Sequence, residues 1–567
     1  MTLGRAPEQP DMWRTSARYC EGKLSPTSIY SLLHREGHRL FPDDAFADLF
    51  QDIGRCSVPP SIVAVVMVLQ RLEGLSDREA VERFTFDVRW KYAAGGLELE
   101  YPSFVHTVLV DMRARLRRST SPDRIFLRVL DVAKEAGMVG RRRVLDSTCL
   151  YDAVATQDTV TMIRSALRGL LQVADEELAA ELRGVLKRDD DYKAAGKPVC
   201  DWEDKAAREA LVDALARDAH AALAYLDGKS LADHVKDAAA LVATVVGQDL
   251  EQTKDGLFRI ARRVAPDRVI STVDPEARHG HKTEARGFDG YKGHIAIDPD
   301  SEIITGAKVT AANVGDGSVA KELLADVIPL PQEPKEDAAR GENGSVDAPA
   351  TVDAAPSPNT PTTLDAAPSP NTPAGSEPIE VYGDASYGTA EVLVHLDQAG
   401  ALANVKVQLA SPPHEGFFSK DAFDVDTTAG TARCPQGVLV ALRRSKDGWA
   451  SASFAPHCGD CTLRSRCTTS ASGRRIDIHP QHDRIHRARV HQRDATWRRS
   501  YRATRPKVER KIAHLMRRRH GGRRARMRGR ERIGQDFLLL CAAANLHRLA
   551  QFELCNVAVH ADAAAAA

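Results

Sequence analysis

The stretch Tyr501-Arg-Ala-Thr-Arg505-Pro-Lys-Val-Glu509 places a carboxylate inside the most basic segment of this 567-residue chain. Side chains four residues apart stack on one face of a helix, so Tyr501, Arg505 and Glu509 are predicted to share a helical face. Residues 484–532 contain 20 Lys and Arg but only three acids. A face of this kind can hold a metal ion against a phosphate backbone. The alternative is a surface salt bridge between Arg505 and Glu509.

The length and the charge of the chain limit the classes of protein to which it can belong. A chain of 567 residues is long enough for several domains and a sizeable core. Lys and Arg equal Asp and Glu at 78 each, yet the middle is acidic and the late segment basic, which predicts nucleic acid as partner. No apolar run reaches the roughly 18 residues of a membrane helix, and the first residues lack an apolar signal core. We therefore expect a cytoplasmic protein that does not act at a membrane and whose thiols are reduced.

Residues 1–125 are predicted to form an N-terminal helical domain that binds DNA. Pro59-Pro60 precedes the apolar run Ile62–Leu72, and Gly74 is placed to end that helix. Ser76-Asp-Arg-Glu79 then has the pattern of a capping box that starts another helix. The pattern is typical of a helix-turn-helix, and a purely structural helical hairpin remains the alternative.

Residues 140–330 are predicted to be the first part of an α/β core. Val144–Thr148 has the composition of a short strand with Asp146 at its carboxyl end. A helical insert follows at about 155–265, rich in Ala, Leu and charged residues. Tyr291–Ile297 and Glu302–Thr310 flank a turn and predict a β-hairpin, and Ser318–Ile328 is predicted to be helical.

The second half of the chain alternates between ordered and low-complexity sequence. Residues 331–378 contain DAAPSPNTP twice and predict a disordered linker, because such a composition cannot bury a core. Residues 379–410 are predicted to be the second part of the core, with Asp384 at a strand end. A β-rich insert at 411–490 and basic helices at 491–555 complete the predicted order.

Two strand-end acids and one helical acid form the candidate catalytic set. Open sheets place ligands beyond the carboxyl ends of their strands, which is where Asp146 and Asp384 are predicted to lie. With Glu509 delivered by a helix, three carboxylates can bind divalent ions that activate a nucleophile and stabilise a leaving oxygen. Oxygen ligands favour Mg²⁺, or Mn²⁺, and no Gly-rich phosphate loop indicates ATP.

Four motifs carry a resemblance to a known family: Leu145-Asp-Ser-Thr148, Asp289-Gly-Tyr-Lys-Gly-His294, Tyr382-Gly-Asp-Ala-Ser-Tyr-Gly388 and Arg505-Pro-Lys-Val-Glu509. In this order, behind N-terminal helices, they resemble the bacterial insertion-sequence DDE transposases over residues 40–552. That resemblance implies an α/β fold with a ribonuclease-H-like, mixed-sheet catalytic core. It also implies an N-terminal helical domain, a helical insert, and a β-rich, Cys-containing insert before the final Glu.

The resemblance implies roles for individual residues. It assigns Asp146, Asp384 and Glu509 to a metal triad, and Tyr501 and Arg505 to contacts with the DNA backbone near the cut. The family signature has its Arg three residues after the Tyr, then a Glu four residues later and a Lys seven further on. Here the Arg comes four residues after the Tyr, while the spacing from Arg to Glu agrees.

Further basic residues are candidates for DNA contact. Where the signature has its Lys, this chain has Met516 followed by Arg517, so Arg517 is taken as the substitute. Lys292 and His294, in the predicted hairpin, are assigned to DNA or to the rim of the site. A solvated surface is the alternative for the whole basic run that begins at His279.

Three other aspartates compete for a place in the site. Asp289 precedes the hairpin strand and is an alternative to Asp384 as second metal ligand. Asp298 and Asp300 lie in the hairpin turn, where turn chemistry explains them.

A cysteine cluster and a basic run mark the last third of the chain. Cys434, Cys458, Cys461 and Cys467 include one Cys-x2-Cys pair and can form a structural Zn²⁺ site, with His457 as an alternative ligand. The alternative is a set of reduced thiols. Residues 517–530 are predicted to contact phosphates without reading sequence, and the alternative is a solvated loop.

The resemblance implies an enzyme that cuts and rejoins DNA at the ends of its own mobile element. Water would attack the scissile phosphate, and the freed 3′-hydroxyl would then attack target DNA. The resemblance implies two copies acting together on double-stranded DNA, with the protein associated with the bacterial nucleoid. The alternatives are a metal-dependent DNA nuclease without strand transfer and an inactive, DNA-binding relic of a transposase.

Overall fold

The computed structural model describes residues 1–3, 15–153, 156–190, 192–283, 285–330 and 377–552. The predicted linker at 331–378 lies outside the described residues except for its last two positions. The helices, in chain order, are α1 (Ser16–Cys20), α2 (Ile29–Leu40), α3 (Pro60–Glu73), α4 (Asp77–Phe86), α5 (Val88–Ala93), α6 (Thr107–Arg118), α7 (Arg124–Glu135), α8 (Thr159–Val173), α9 (Glu176–Val185), α10 (Lys205–Leu226), α11 (Asp233–Asp249), α12 (Ala320–Leu323), α13 (Ala390–Gln398), α14 (His482–His491), α15 (Ala495–Thr504), α16 (Pro506–Leu515) and α17 (Arg530–Gln551).

The strands complete a mixed α/β architecture. They are β1 (Arg142–Tyr151), β2 (Leu250–Gln252), β3 (Phe258–Ile260), β4 (Arg278–Thr283), β5 (Arg286–Ile297), β6 (Ile304–Ala311), β7 (Glu380–Gly383), β8 (Leu402–Val405), β9 (Asp424–Asp426), β10 (Thr431–Arg433), β11 (Leu439–Ala441), β12 (Arg443–Arg444), β13 (Ala450–Ser453) and β14 (Arg475–Ile478). In the described part of the chain, no helix is long and apolar enough to span a membrane.

The chain divides into two compact units. The first contains Met1–Gly140, Leu145–Asp316 and Pro506–Ala567, and the second contains Arg141–Val144 and Gly317–Arg505. Strand β1 belongs to both, because its first three residues fall in the second unit and the rest in the first.

The main sheet is mixed, as the predicted α/β class requires. In the first unit β4, β5 and β6 pair antiparallel, and in the second β1, β7 and β8 pair parallel. In the first unit β5 lies between β4 and β6, and in the second β7 lies between the start of β1 and β8. The parallel register pairs Arg142 with Glu380 and Val144 with Tyr382.

Helix α17 organises the core of the first unit. It packs against β6, α3 and α7, and its apolar side chains from Ile533 to Ala550 are largely buried. Asn545 is completely buried on this helix and bonds the backbone of Ile304 on β6 in both directions, each at 2.8 Å. The amide oxygen and the amide nitrogen of Asn545 thus both have partners in a buried place, and this contact fixes α17 on β6.

Helices α8 to α11 form a subassembly with its own apolar core. Met162, Ile163, Leu170, Leu215 and Val245 are among its fully buried members. The predicted helical insert at about 155–265 contains four helices, but its described residues between Val185 and Lys205 form no helix, and after Asp249 the chain forms the short hairpin of β2 and β3.

The segment after β8 is β-rich and built from very short strands. Strands β9, β10 and β11 form one antiparallel sheet, and β12, β13 and β14 form another. Both sheets contribute to one small core that contains Phe423, Phe454, Ile476 and Ile478.

Three local predictions differ from the structure. Strand β1 continues to Tyr151, so Asp146 lies within the strand and not at its end, because Thr148, Cys149 and Leu150 are also buried. Helix α12 is four residues long, much shorter than the predicted helix at 318–328. The helix predicted to continue through Glu509 is divided at Arg505, because Pro506 has no N–H to donate to the preceding turn.

Candidate active site

Strand β1 carries Asp146 in the first unit. Leu145 before it is completely buried, whereas Asp146 and Ser147 are half-buried. One carboxylate oxygen of Asp146 accepts a hydrogen bond from the Ser147 backbone N–H at 2.8 Å. A carboxylate that is partly open to solvent on an otherwise buried strand has the exposure that a ligand-binding group requires.

A second acid, Asp316, lies beside β1. Its Oδ2 accepts a 2.6 Å hydrogen bond from the Ser147 hydroxyl, and its Oδ1 accepts one from Lys292 Nζ at 2.9 Å. Lys292 also donates to the Val314 carbonyl at 2.9 Å. Lys292, a predicted DNA contact, is therefore held by protein acceptors next to the strand that carries Asp146.

His294 does not lie where the DNA-contact prediction placed it. The side chain is completely buried, and its Nε2 is 2.9 Å from the Thr310 hydroxyl across the β5–β6 pair. Burial lowers the pKa of His294 to about 4, with Lys292 acting in the same direction and Asp316 against it. A buried, neutral imidazole has no surface to offer a phosphate, because β5 is buried on both faces from Gly293 to Ile297.

Glu509 lies in the first turn of α16, in the first unit, and is exposed. The same helix buries Val508, Ile512 and Leu515, so packing of its apolar side orients the glutamate outward. Arg517, the predicted substitute for the signature lysine, is also exposed and precedes a short 3-10 helix, Arg518–His520.

Asp384 follows β7 directly, in the second unit. Its side chain is 40% exposed, and its Oδ1 accepts a hydrogen bond from the Ser386 backbone N–H at 2.9 Å. Arg505 Nη2 lies 3.8 Å from its Oδ2. The Arg505 side chain is only 8% exposed, so a charge is held beside this carboxylate where water screens it little.

Tyr501 occupies a structural position in the second unit. Its hydroxyl donates to the Gly383 carbonyl at 3.2 Å, one residue before Asp384. Its ring stacks on Trp497 with centroids 4.8 Å apart, and Lys406 Nζ lies 5.0 Å from the ring centroid. The residue is 8% exposed, so the predicted direct DNA contact is replaced here by a contact that holds the end of β7.

The second unit contains one more link between α15 and β7. The Tyr382 hydroxyl donates to Glu380 at 2.6 Å and lies 2.8 Å from the Ser500 hydroxyl. Together with the bond from Tyr501 to Gly383, this contact attaches α15 to the strand at two successive residues.

The three predicted metal ligands are divided between the units. Asp146 and Glu509 belong to the first, and Asp384 belongs to the second. Within the described ranges, no three His, Cys, Asp or Glu side chains stand in an arrangement that could hold a metal ion. The donor set nevertheless has the chemistry of a magnesium site, since all three side chains are carboxylates.

The competing aspartates have other partners. Asp289 Oδ1 is 2.7 Å from His279 Nδ1, and its Oδ2 accepts a 2.5 Å hydrogen bond from the Thr156 hydroxyl. Asp298 is buried and accepts from the backbone of Asp300 and Ser301 in the hairpin turn. Turn chemistry accounts for Asp298, whereas Asp289 borders a cleft of about 630 Å³.

The basic segment 517–530 is attached to the first unit through its backbone. Its Arg523 carbonyl accepts from the Tyr151 N–H, and its Ala525 N–H donates to the Tyr151 carbonyl, each at 2.8 Å. Its exposed arginines are Arg517, Arg518, Arg519, Arg523, Arg524, Arg528 and Arg530. The segment is thus an anchored row of cations at the end of β1 and not a free loop.

The α3–α4 turn also meets this segment. Arg71 donates to the His520 carbonyl, and Arg526 donates to the Leu75 carbonyl. Gly74 ends α3 with φ +70°, and a Cβ placed there would lie 2.3 Å from the Arg519 carbonyl oxygen. Only glycine fits this approach, so the sequence signal for a helix end also marks a packing contact.

Sequence reasoning missed two residues of this region. Asp316 was not singled out, although it is an acid in a Gly-rich loop that closely follows the hairpin. Trp497 was not singled out either, although it lies four residues before Tyr501, the spacing at which aromatic side chains stack on a helix.

Comparisons with known proteins identify the family. Residues 255–344 and 433–550 each match a family model described as a Transposase DDE domain. Residues 31–115 match a model described as Transposase domain (DUF772). No curated protein and no solved structure matches the chain. The match at 433–550 includes Glu509, and the match at 255–344 includes the hairpin of β5 and β6. These three matches support an insertion-sequence DDE transposase.

Proposed function

We propose that this transposase cleaves DNA at the ends of its own element and joins the freed 3′ ends to target DNA. The observations that carry the proposal are the two matches to Transposase DDE domain models and three carboxylates that solvent can reach. Asp146 and Asp384 are half-buried on or directly after strands that are otherwise buried, and Glu509 is exposed on α16.

Asp146, Asp384 and Glu509 would hold the divalent ions. Three carboxylates suit Mg²⁺ or Mn²⁺, which prefer hard oxygen ligands. Bound ions would lower the pKa of the attacking water or 3′-hydroxyl and stabilise the leaving oxygen. The protein itself would orient the carboxylates. Helix α15 holds the end of β7 through the hydrogen bond from Tyr501. Ser147, the residue after Asp146, and Lys292 both donate hydrogen bonds to Asp316 beside β1.

Arg505 is proposed to act on the phosphate. Its guanidinium is nearly buried and lies 3.8 Å from Asp384. A fixed arginine beside a metal-binding carboxylate can meet the charge that develops on a scissile phosphate without first being ordered. The exposed arginines of 517–530 would supply binding along the DNA backbone.

The wider architecture is proposed to follow the family. The mixed sheet would be a ribonuclease-H-like core, with a helical insert at about 155–265 and a β-rich insert at 411–490. The N-terminal helices would recognise the element ends, although the exposed residues of α4 include Glu79 and Glu82 beside Arg78 and Arg83. Two copies would bring two element ends together on the nucleoid.

The test is a combined cleavage and joining assay. Donor DNA that contains the element and its flanks is incubated with Mg²⁺ and a target plasmid, and cut ends and integrated products are counted. Asp146→Asn and Asp384→Asn should each abolish both products, whereas Asp289→Asn should retain them. Loss with Asp289→Asn and retention with Asp384→Asn would reassign the second ligand.

The same assay separates the other candidate functions. Cleavage without joined products would identify a nuclease. End binding without any cleavage by the wild type would identify an inactive relic. Either result contradicts the proposal of strand transfer.

A further inference from the structure

We propose that Cys434, Cys458, Cys461 and Cys467 form a structural zinc site in the β-rich part of the second unit. All four thiols line one small cavity of about 20 Å³. Cys458 and Cys467 are 8% and 9% exposed and belong to the local core, and Cys434 packs against it. Four cysteines from three separate turns that meet at one cavity are a donor set for tetrahedral Zn²⁺.

Hydrogen-bonded turns place each cysteine. Cys434 begins the loop that joins β10 to β11, where its N–H donates to the Val438 carbonyl and its carbonyl accepts from the Gly437 N–H, at 2.9 and 2.8 Å. Cys458 and Cys461 lie between two short 3-10 helices, and Cys467 directly follows the second. A hairpin turn opposite a Cys-x2-Cys turn is a common way to present four thiolates to one ion.

The groups around the sulfur atoms suit thiolates. The Arg474 backbone N–H donates to Cys458 Sγ at 3.5 Å, and Arg464 Nη1 donates to the Cys458 carbonyl at 2.9 Å. Gly473, at φ +76°, brings the backbone so close that a Cβ there would lie 3.2 Å from Cys458 Sγ. N–H donors and cations beside the ligands offset the negative charge of a four-thiolate site.

The size of the surrounding sheets gives a reason for a metal. The strands β9 to β14 are two to four residues long, and the core they share contains six apolar residues besides its two cysteines. Sheets of this size are marginal without a cross-link or a metal. The sulfur atoms of the described chain do not by themselves stand in ligand geometry. Because metal binding and folding are coupled in such small modules, the ion would draw them together.

This site is chemically distinct from the carboxylate site. Thiolates are soft ligands that select zinc over magnesium, whereas carboxylates do the reverse. The zinc proposal can therefore fail while the transposase proposal holds, and the reverse is also true.

The experiment measures zinc bound to the full-length protein. Wild type is produced with added zinc, dialysed against a weak chelator and analysed by mass spectrometry of the elements. About one zinc per chain is expected. The double variant Cys458→Ser/Cys461→Ser should lose it, and Cys56→Ser, an exposed thiol outside the cluster, should retain it. Glu509→Gln should retain it as well.

A second measurement uses only the wild type and therefore does not depend on whether the double cysteine variant folds. A mercurial reagent added stepwise to the wild type should release the zinc as four thiols react, detected with a metal-sensitive dye. Wild type without zinc, zinc retained by the double variant, or disulfides within the cluster found by non-reducing peptide mapping would each overturn the proposal.

Discussion

At the residue scale, burial separates the members of the stretch from Tyr501 to Glu509. Tyr501 and Arg505 are nearly buried and contact Gly383 and Asp384, whereas Glu509 is exposed. The aromatic stack and the hydrogen bond of Tyr501 leave little of its surface for DNA. We therefore propose that it acts as a positioning residue, through the strand end that it holds.

Tyr501→Phe tests that role. The change removes the hydrogen bond to the Gly383 carbonyl but keeps the stack on Trp497, so a loss of about 1 kcal/mol in stability is expected. The cleavage rate should fall severalfold while the dissociation constant for end DNA stays unchanged. A weaker DNA complex at an unchanged cleavage rate would instead show that the hydroxyl contacts the backbone.

The buried imidazole of His294 predicts a pH dependence. Its pKa is lowered to about 4 in the folded chain, against about 6.5 when unfolded. Between these values only the unfolded chain takes up the proton, so the free energy of unfolding should fall as the pH drops from about 6.5 to about 4. Urea unfolding at several pH values measures this slope.

His294→Gln is the matched variant for the pH prediction. Glutamine keeps a polar group near Thr310 but does not titrate, so the loss of stability on acidification should be smaller than in wild type, by on the order of 1–3 kcal/mol. His514, whose pKa burial also lowers to about 4, would leave a residual slope. An unchanged slope would show that His294 does not remain neutral in the fold.

At the scale of elements, the turn between α3 and α4 joins local sequence rules to packing. Ser76 and Glu79 form a complete capping box at the start of α4. Gly74 ends α3 in the left-handed region, directly against the Arg519 backbone of the basic segment. Position 74 is thus restricted to glycine both by its left-handed backbone conformation and by its close contact with Arg519, which is distant in sequence.

Substitutions at Ser76 and Gly74 should both reduce folding stability, but only the substitution at Gly74 should also weaken DNA binding. Ser76→Ala should cost about 1 kcal/mol because the helix cap is removed, and it should leave DNA binding intact. Gly74→Ala should cost about 1–3 kcal/mol and weaken DNA binding as well, because the added Cβ displaces the basic segment. Chemical unfolding and DNA titration of both variants check this, and equal DNA affinity for the two would contradict the coupling.

Local signals explain which elements could be predicted from the sequence. The capping box, the Gly74 helix end and the turn at Asp298 each follow from side chains within a few residues. The length of β1 could not be predicted, because residues Thr148 to Tyr151 stay extended through long-range burial and contacts such as that between Tyr151 and Arg523.

The residue types of the candidate site could be read from the sequence, but their contacts could not. Asp146 and Asp384 stand out as acids in or directly after apolar runs, and their role as metal ligands stays a prediction. The burial of His294 and Tyr501 depends on Thr310, Gly383 and the packing of whole elements, which no local pattern contains.

At the scale of the whole molecule, the net charge of zero results from segments of opposite charge. The helices from α8 to α11 carry more acidic than basic residues, whereas 517–530 contains eight arginines and no acid. DNA binding is therefore expected to depend on the late basic segment and not on the helical insert.

Removing positive charges from segment 517–530 and, separately, from the helical insert tests which of the two binds DNA. Replacing Arg517, Arg518 and Arg523 with Gln should weaken binding of specific and unrelated DNA alike. The slope of log affinity against log salt should also become shallower, by roughly one for each phosphate that the protein no longer neutralises. Replacing three exposed arginines of the insert, Arg208, Arg217 and Arg259, should leave both unchanged. Equal losses in the two triple variants would show that the insert also contacts DNA.

We propose that Glu509 completes a metal-dependent catalytic site, and cleavage of end-containing DNA with Mg²⁺ tests that role. Glu509→Gln keeps the shape of the side chain and removes its charge. Glu531→Gln is the control, because Glu531 is another exposed acid in the same basic region. Glu509→Gln should lose more than about a hundredfold in cleavage rate with DNA binding retained, while Glu531→Gln should cleave normally. Unchanged cleavage by Glu509→Gln would contradict it and reduce Glu509 to a surface acid.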